Sequence, residues 1–179
     1  VKIDPQRSTI EFMRPGVRID LGGIAKGYAV DRSIDLLQQA GVSNAIVSAG
    51  GDTRVIGKRW DQSWKIGVRN PRQRDSIASM VPLENSAIST SGDYERYFEE
   101  DGVRYHHILN PGTGKSTDEI QSSSIIGTDA TDTDALSTSV FVLGVQQGIQ
   151  LINALPGTEA IIIDNQGRMH YSDGLARLE

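Results

Sequence analysis

The sequence predicts an α+β fold, a mostly antiparallel sheet with a few covering helices. Three observations carry that prediction. Candidate hairpins outnumber strand–helix–strand crossovers, and hairpins pair strands antiparallel. Asp101-Gly102 separates two strand-like runs and suits the positive φ of a tight turn. Segments near helical period stop at glycines, Gly41 and Gly144, where C-terminal caps belong.

The elements follow in order. Thr9–Phe12 predicts a short strand, Pro15-Gly16 breaks it, and Val17–Leu21 continues as a second extended piece. After Gly22-Gly23, Ala25, Ala29, Ile34, Leu36 and Leu37 mark a helix over about 24–39. Ala45-Ile46-Val47 is a β-branched strand core that runs into Gly50-Gly51-Asp52. Thr53–Ile56 and Trp64–Val68 predict further strands. Residues 94–98 and 103–108 form the clearest hairpin, and Asn110–Gly114 a rigid loop after it. Ser122–Ile126 is a strand candidate. Two helices follow, over about 131–143 and 146–155, and a last hairpin turns at 164–167.

Composition bounds the functions. The 179 residues fit one domain, 1–179, able to bury a core without staples. Lys plus Arg number 18 and Asp plus Glu 23, giving a net charge of −5 with no basic run, which argues against nucleic acid as a partner. Cys is absent, so disulfides, thiolate metal sites and cysteine nucleophiles are excluded. No uninterrupted apolar run reaches the ~20 residues of a membrane span.

Four polar, glycine-rich clusters could carry chemistry. In Asp20–Asp31, glycines precede a helix start, where free N–H groups favour an anion and Lys26 adds charge. This is a phosphate cradle or a tight turn with a surface lysine. Ser48–Asp52 could project the Asp52 carboxylate into a cleft, or simply turn. Ser89–Asp93 offers hydroxyls and backbone N–H groups near Gly92, and across the hairpin stand His106 and His107. Imidazole titrates near neutrality and can exchange protons. Adjacent strand residues face opposite sides, so at most one histidine enters a given cleft. In Asp129–Thr138, Asp134 and Thr138 are i and i+4 and share a helix face. A carboxylate and a hydroxyl one turn apart suit Mg²⁺, although Asp and Thr also cap helix starts. Together the clusters hold a cation, a hard-metal face, a glycine turn and a histidine, the equipment for Mg²⁺-assisted chemistry on a phosphate ester or anhydride.

These residues resemble a known family. Asp20–Asp31 (Asp-Leu-Gly-Gly-Ile-Ala-Lys-Gly-Tyr-Ala-Val-Asp) is similar to the signature segment of the ApbE family, the FAD:protein FMN transferases. Gly50-Gly51-Asp52, Thr90–Tyr94, the loop His107–Gly114 and the helix Thr133–Ser139 resemble its other segments in family order. The resemblance implies duplicated T-fold units and a Mg²⁺-dependent enzyme. Such an enzyme moves FMN from FAD to a Thr or Ser hydroxyl of a flavoprotein and releases AMP. By the match, Asp134, Thr138 and a carbonyl near Ala25 hold the metal. Lys26, Asp31, Gly51, Asp52, Thr90, Ser91 and Gly92 line the FAD site, and His107 activates the hydroxyl. It also implies acceptors among subunits of membrane redox pumps and a periplasmic, lipoprotein-anchored full-length form. The motif order reads as the C-terminal portion of a longer exported chain. Asn110 stands where the family usually has Asp, and Ser137 and Ser139 replace Ala. The competing readings are a Mg²⁺-dependent FAD pyrophosphatase and a non-catalytic FAD-binding module.

Overall fold

The computed structural model describes residues 1–176. The chain opens with a small hairpin, β1 (Lys2–Asp4) and β2 (Thr9–Glu11), and reaches helix α1 (Ala25–Gln39) through irregular backbone. Residues 17–21 form no strand: their side chains are exposed, and Asp20 instead accepts the Gly22 N–H in a local turn. Then come β3 (Ala45–Ala49), β4 (Asp52–Ile56), β5 (Trp64–Arg69), β6 (Ile77–Leu83) and β7 (Ser86–Gly92). β8 (Tyr97–Glu100) and β9 (Val103–His106) make the expected hairpin, with Asp101 at φ 50° and Gly102 at φ 76°. Both left-handed residues are what a two-residue turn of this hand requires. β10 (Ile120–Gly127), helix α2 (Ala130–Asn153), β11 (Glu159–Asp164), β12 (Met169–Tyr171) and the short α3 (Asp173–Ala176) complete the chain.

Six strands form one sheet in the order β12-β11-β10-β7-β4-β3, every neighbour antiparallel. The fold is therefore α+β, as the hairpin count predicts. Helices α1 and α2 cover one face and the β5–β6 hairpin the other. The period of two divides the core accordingly. Ile125, Ala160 and Ile162 meet Val140, Phe141 and Ile152 of α2, while Ile88, Ile161 and Val55 meet Val68, Val81 and Leu83. α2 is long and apolar enough to cross a membrane, yet Val140, Phe141 and Ile152 are fully buried against the sheet.

Two expected helices are one interrupted helix. Gly144 sits inside α2 at φ 83°, ψ 179°, and the Glu119 carboxylate accepts the Val145 N–H at 2.8 Å. Glu119 thus caps the second half, and any side chain at Gly144 would strike it.

Strand β7 was not expected, because Ser86–Gly92 is polar. It nonetheless occupies the middle of the sheet, where its hydroxyls find partners on neighbours. Ser89 bonds Thr133, Thr90 bonds Ser124, and Ser91 bonds Ser137 and Thr138, all within 3.0 Å. Burial of polar groups is tolerated when each is paired.

The final hairpin supplies a pH prediction. Asp164 accepts from the Gln166 and Arg168 amides, the Arg168 guanidinium and His170. Burial pushes its carboxyl pKa up, but the bonds from His170 and Arg168 more than offset that and hold it well below the carboxylate range. A depressed folded-state pKa stabilises fully above the unfolded value and is lost as pH falls toward the folded one. Stability should therefore decline as pH drops below about 4, and Asp164→Asn should flatten that decline. Urea midpoints measured over a pH series check it; an unchanged acid slope in the variant would count against this carboxylate as its source.

Candidate active site

The site is built where α1 meets α2. Asp134, at the start of the second turn of α2, is buried and accepts the Gly27 N–H at 3.0 Å through Oδ2. A Cβ at Gly27 would lie 2.1 Å from the Ala130 carbonyl and 2.8 Å from Asp134 Cβ, so only glycine permits this approach. The contact brings Lys26 over the helix face. Its Nζ lies 2.8 Å from Asp52 Oδ2 and 3.2 Å from Asp134 Oδ1. The Asp52 contact is an ion pair without well-aligned hydrogen-bond geometry. Burial lowers the Lys26 pKa, but the Asp52 and Asp134 carboxylates more than restore it, so the ammonium is held protonated. Burial pushes Asp52 up, against the opposing effect of Lys26 and with a push from Asp134.

Beside this triad opens a cavity of about 610 Å³, lined by Gly22, Gly23, Lys26, Gly50, Thr138 and His107 among others. Ala25, Thr90, Ser91 and Gly92 line it as well. The Ser91 hydroxyl is 3.0 Å from that of Thr138 and 2.8 Å from that of Ser137, which fixes the rotamers at this wall. Asp20, Glu95, Arg96, Ile108, Leu109 and Val142 complete the lining. No local pattern marks the last five; Glu95, Arg96, Ile108 and Leu109 flank the β8–β9 hairpin, and Val142 comes from α2.

The two histidines separate as strand alternation requires. His106 is buried, edge-on to Phe141. Its Nε2 lies 2.6 Å from the Thr117 carbonyl and its Nδ1 accepts from the Ile108 N–H. Both nitrogens are committed, so the ring is a packing element. His107 is exposed and lines the cavity. Its backbone N–H and its Nδ1 both point at the Arg96 carbonyl, at 3.2 and 3.3 Å. A carbonyl only accepts, so Nδ1 carries the hydrogen and Nε2 keeps its lone pair.

Three expected lining residues lie elsewhere. Asp31 is buried and accepts from the Ala130 and Thr131 amides, the Thr131 hydroxyl and Arg54. Burial alone would raise its pKa, but these bonds hold it below the usual carboxylate value. Asp31 therefore ties α1 to the start of α2 and does not line the cavity. Asp52 is 1% exposed and reaches the cavity only through Lys26. Gly51 lines a neighbouring cavity of about 390 Å³, shared with Thr90 and Glu95. The expected cradle of free helix N–H groups is also corrected. The Ile24 and Ala25 amides bond the Leu21 carbonyl, and that of Gly27 bonds Asp134. Attraction for an anion thus rests on Lys26, since the Gly22 N–H donates to Asp20 Oδ1 at 2.7 Å. Asn110, in place of the family's Asp, keeps a turn role: its side-chain oxygen accepts the Gly112 N–H at 2.8 Å.

The donor chemistry fits a hard cation. Among the described residues no cluster of three or more His, Cys, Asp or Glu side chains is placed to hold a metal. Ala25 and Thr138 line the cavity, and the buried Asp134, outside its lining, meets it through Lys26; all three offer oxygen donors. Mg²⁺ takes few protein oxygens and keeps waters and phosphates in its other positions. Because Lys26 already contacts Asp134 Oδ1, a cation there must share that oxygen with it or displace it.

Comparison with known proteins agrees with this geometry. The model of the ApbE family matches residues 1–162. A FAD:protein FMN transferase of Treponema pallidum is 35% identical over 178 residues, covering 93% of this chain and 49% of that protein. One from Klebsiella pneumoniae is 36% identical over 165 residues, covering 91% and 51%. The crystal structure of the ApbE protein from Thermotoga maritima superposes with a TM-score of 0.87 at 40% identity, covering 99% of this chain and 58% of that one. The flavin transferase ApbE from Vibrio cholerae gives 0.81 at 30% identity, covering 94% and 57%. The chain spans about half the length of the curated relatives it matches. The family model and the superposition on a solved ApbE protein converge, and the chain belongs to the ApbE family.

Proposed function

We propose that this region forms the catalytic portion of an enzyme that transfers FMN from FAD to a Thr or Ser hydroxyl of an acceptor flavoprotein. One observation carries the reading: His107, with its Nε2 free, the Thr138 hydroxyl and a lysine held protonated by the buried Asp134 and Asp52 carboxylates line one cavity of about 610 Å³. The relatives named FAD:protein FMN transferase supply the substrate.

The residues divide the work. His107 Nε2 takes the proton of the acceptor hydroxyl, and the freed oxygen attacks the phosphorus of the FMN half. The new O–P bond forms as the bond to the bridging oxygen breaks. AMP departs with that oxygen, and the proton held by His107 is passed to it or to water. Lys26 neutralises charge growing on the leaving phosphate. Mg²⁺, held by Asp134, Thr138 and the Ala25 carbonyl, would supply further charge neutralisation on the diphosphate. The hydroxyls of Thr90 and Ser91 and the backbone of Gly22, Gly23 and Gly92 orient the nucleotide. By family resemblance, the full-length protein works outside the cytoplasmic membrane, anchored as a lipoprotein, on subunits of membrane redox complexes.

Incubation of the full-length protein with FAD, Mg²⁺ and a candidate acceptor domain tests the proposal. A fluorescent flavin band that survives denaturing electrophoresis is the expected result. Free FMN and AMP without labelled acceptor would favour a pyrophosphatase, and unchanged FAD in every condition a binding module.

A further inference from the structure

The turn between β3 and β4 is shaped around Lys26. Gly50 takes φ 57°, and a Cβ there would lie 3.0 Å from Lys26 Cδ, so bare backbone packs on the lysine stem. The Gly51 carbonyl accepts the Thr90 N–H at 3.2 Å, which ties the turn to β7. Asp52 follows, opposite Ala49 on β3 and Ser89 on β7, so its backbone is held from both sides. Its carboxylate is buried and ends 2.8 Å from Lys26 Nζ, its one cationic contact among the described residues. Oδ2 has no well-aligned hydrogen-bond donor there.

Asp134 is more constrained. Its Oδ2 accepts the Gly27 N–H, so Oδ1 is the less committed oxygen, and the Lys26 ammonium lies 3.2 Å from it. Two buried carboxylates thus share one ammonium, and Asp52 is the nearer of the two. A divalent cation on Oδ1 and an ammonium on the same oxygen repel each other strongly at such a short distance. Lys26 therefore needs another seat when a cation arrives, and Asp52 offers one without any change in the backbone. The ammonium and the two carboxylates together carry one net negative charge, which favours a cation, and neutralising Asp52 would remove it.

We infer, resting on the metal assignment in the transferase reading above, that Asp52 is a positioning residue: it draws the Lys26 ammonium off Asp134 Oδ1 so that a divalent cation can take that oxygen. The Gly-Gly segment before Asp52 serves the same end, since its backbone guides the lysine stem toward the carboxylate. Asp52 touches neither the cation nor the nucleotide and acts through Lys26 alone.

Mn²⁺, which shares the oxygen preference of Mg²⁺, is the probe. It is titrated into the full-length protein without FAD, and the free ion is followed by electron paramagnetic resonance. Asp52→Asn, nearly equal in shape, should weaken Mn²⁺ binding about tenfold, because the ammonium then settles on Asp134. Lys26→Gln should tighten it at least about threefold, because the competing ammonium is gone. In the Lys26→Gln background, Asp52→Asn should cost less than about threefold. In turnover, Asp52→Asn should raise the Mg²⁺ concentration for half-maximal transfer about tenfold and leave kcat at saturating Mg²⁺ within about threefold of wild type. Unchanged Mn²⁺ affinity in Asp52→Asn, no tightening in Lys26→Gln, or an equal loss from Asp52→Asn in both backgrounds would each overturn the proposal. Should Asp52→Asn fail to fold, Lys26→Gln alone decides. A wild-type protein that binds Mn²⁺ but moves no FMN would defeat the transferase reading and leave Asp52 its role; one that binds no Mn²⁺ would defeat the metal assignment and this proposal with it.

Discussion

Asp134→Ala should lower flavin transfer by about 10²–10⁴-fold and abolish the response to Mg²⁺. The same carboxylate has three duties. It accepts the Gly27 amide, contacts Lys26, and sits one turn before Thr138, which lines the cavity. Truncation leaves the Gly27 N–H buried without an acceptor, a loss of about 1–3 kcal/mol that should appear in thermal unfolding. It also leaves Lys26 with Asp52 alone. Asp132, two residues earlier, is exposed, so Asp132→Ala should change stability by no more than about 0.5 kcal/mol and leave transfer intact. Comparing the two variants by Mg²⁺ titration separates a metal role from general negative charge at the helix start. Full transfer with ordinary Mg²⁺ dependence in Asp134→Ala would refute the assignment.

His107→Ala should spare FAD binding and slow transfer by about 10²–10⁴-fold, the usual contribution of a positioned proton acceptor. The ring makes one hydrogen bond, to Arg96, and is exposed, so its removal should cost little stability. His106→Ala should behave in the opposite way. It empties a buried site against Phe141 and strands the Thr117 carbonyl and the Ile108 amide, a loss of about 2–4 kcal/mol. FAD titration, single-turnover transfer and unfolding measured on both variants distinguish the two. A folded His106→Ala that cannot transfer, beside an active His107→Ala, would place the base on the other strand face.

Much of this contrast was legible in the sequence. Strand alternation dictates that neighbouring histidines diverge, and the loop after His107 marks it as the motif residue. The hairpins at Asp101-Gly102 and at 164–167 were readable because turn chemistry is local. β7 was not, because propensity treats Ser and Thr in a glycine-bounded run as loop residues, while the structure pairs their hydroxyls across strands and against α2. The interruption at Gly144 was readable as an end; that one helix resumes beyond it depends on Glu119 reaching in to cap.

The sequence by itself determined most of the element types, the antiparallel character and the set of chemical groups. Those follow from hydrophobic period, turn residues and the spacing of Asp134 and Thr138 along one helix face, all properties of neighbouring residues. Which acidic group faces the cavity and which stays in the frame was decided only in three dimensions. Asp31 and Asp134 each bond a helix about a hundred residues away in the chain, one as a cap and one behind Lys26. Local pattern cannot distinguish them. The difference comes from the packing of α1 on α2, which leaves room at Gly27 for backbone alone and turns Lys26, with Asp134 beside it, toward the cavity.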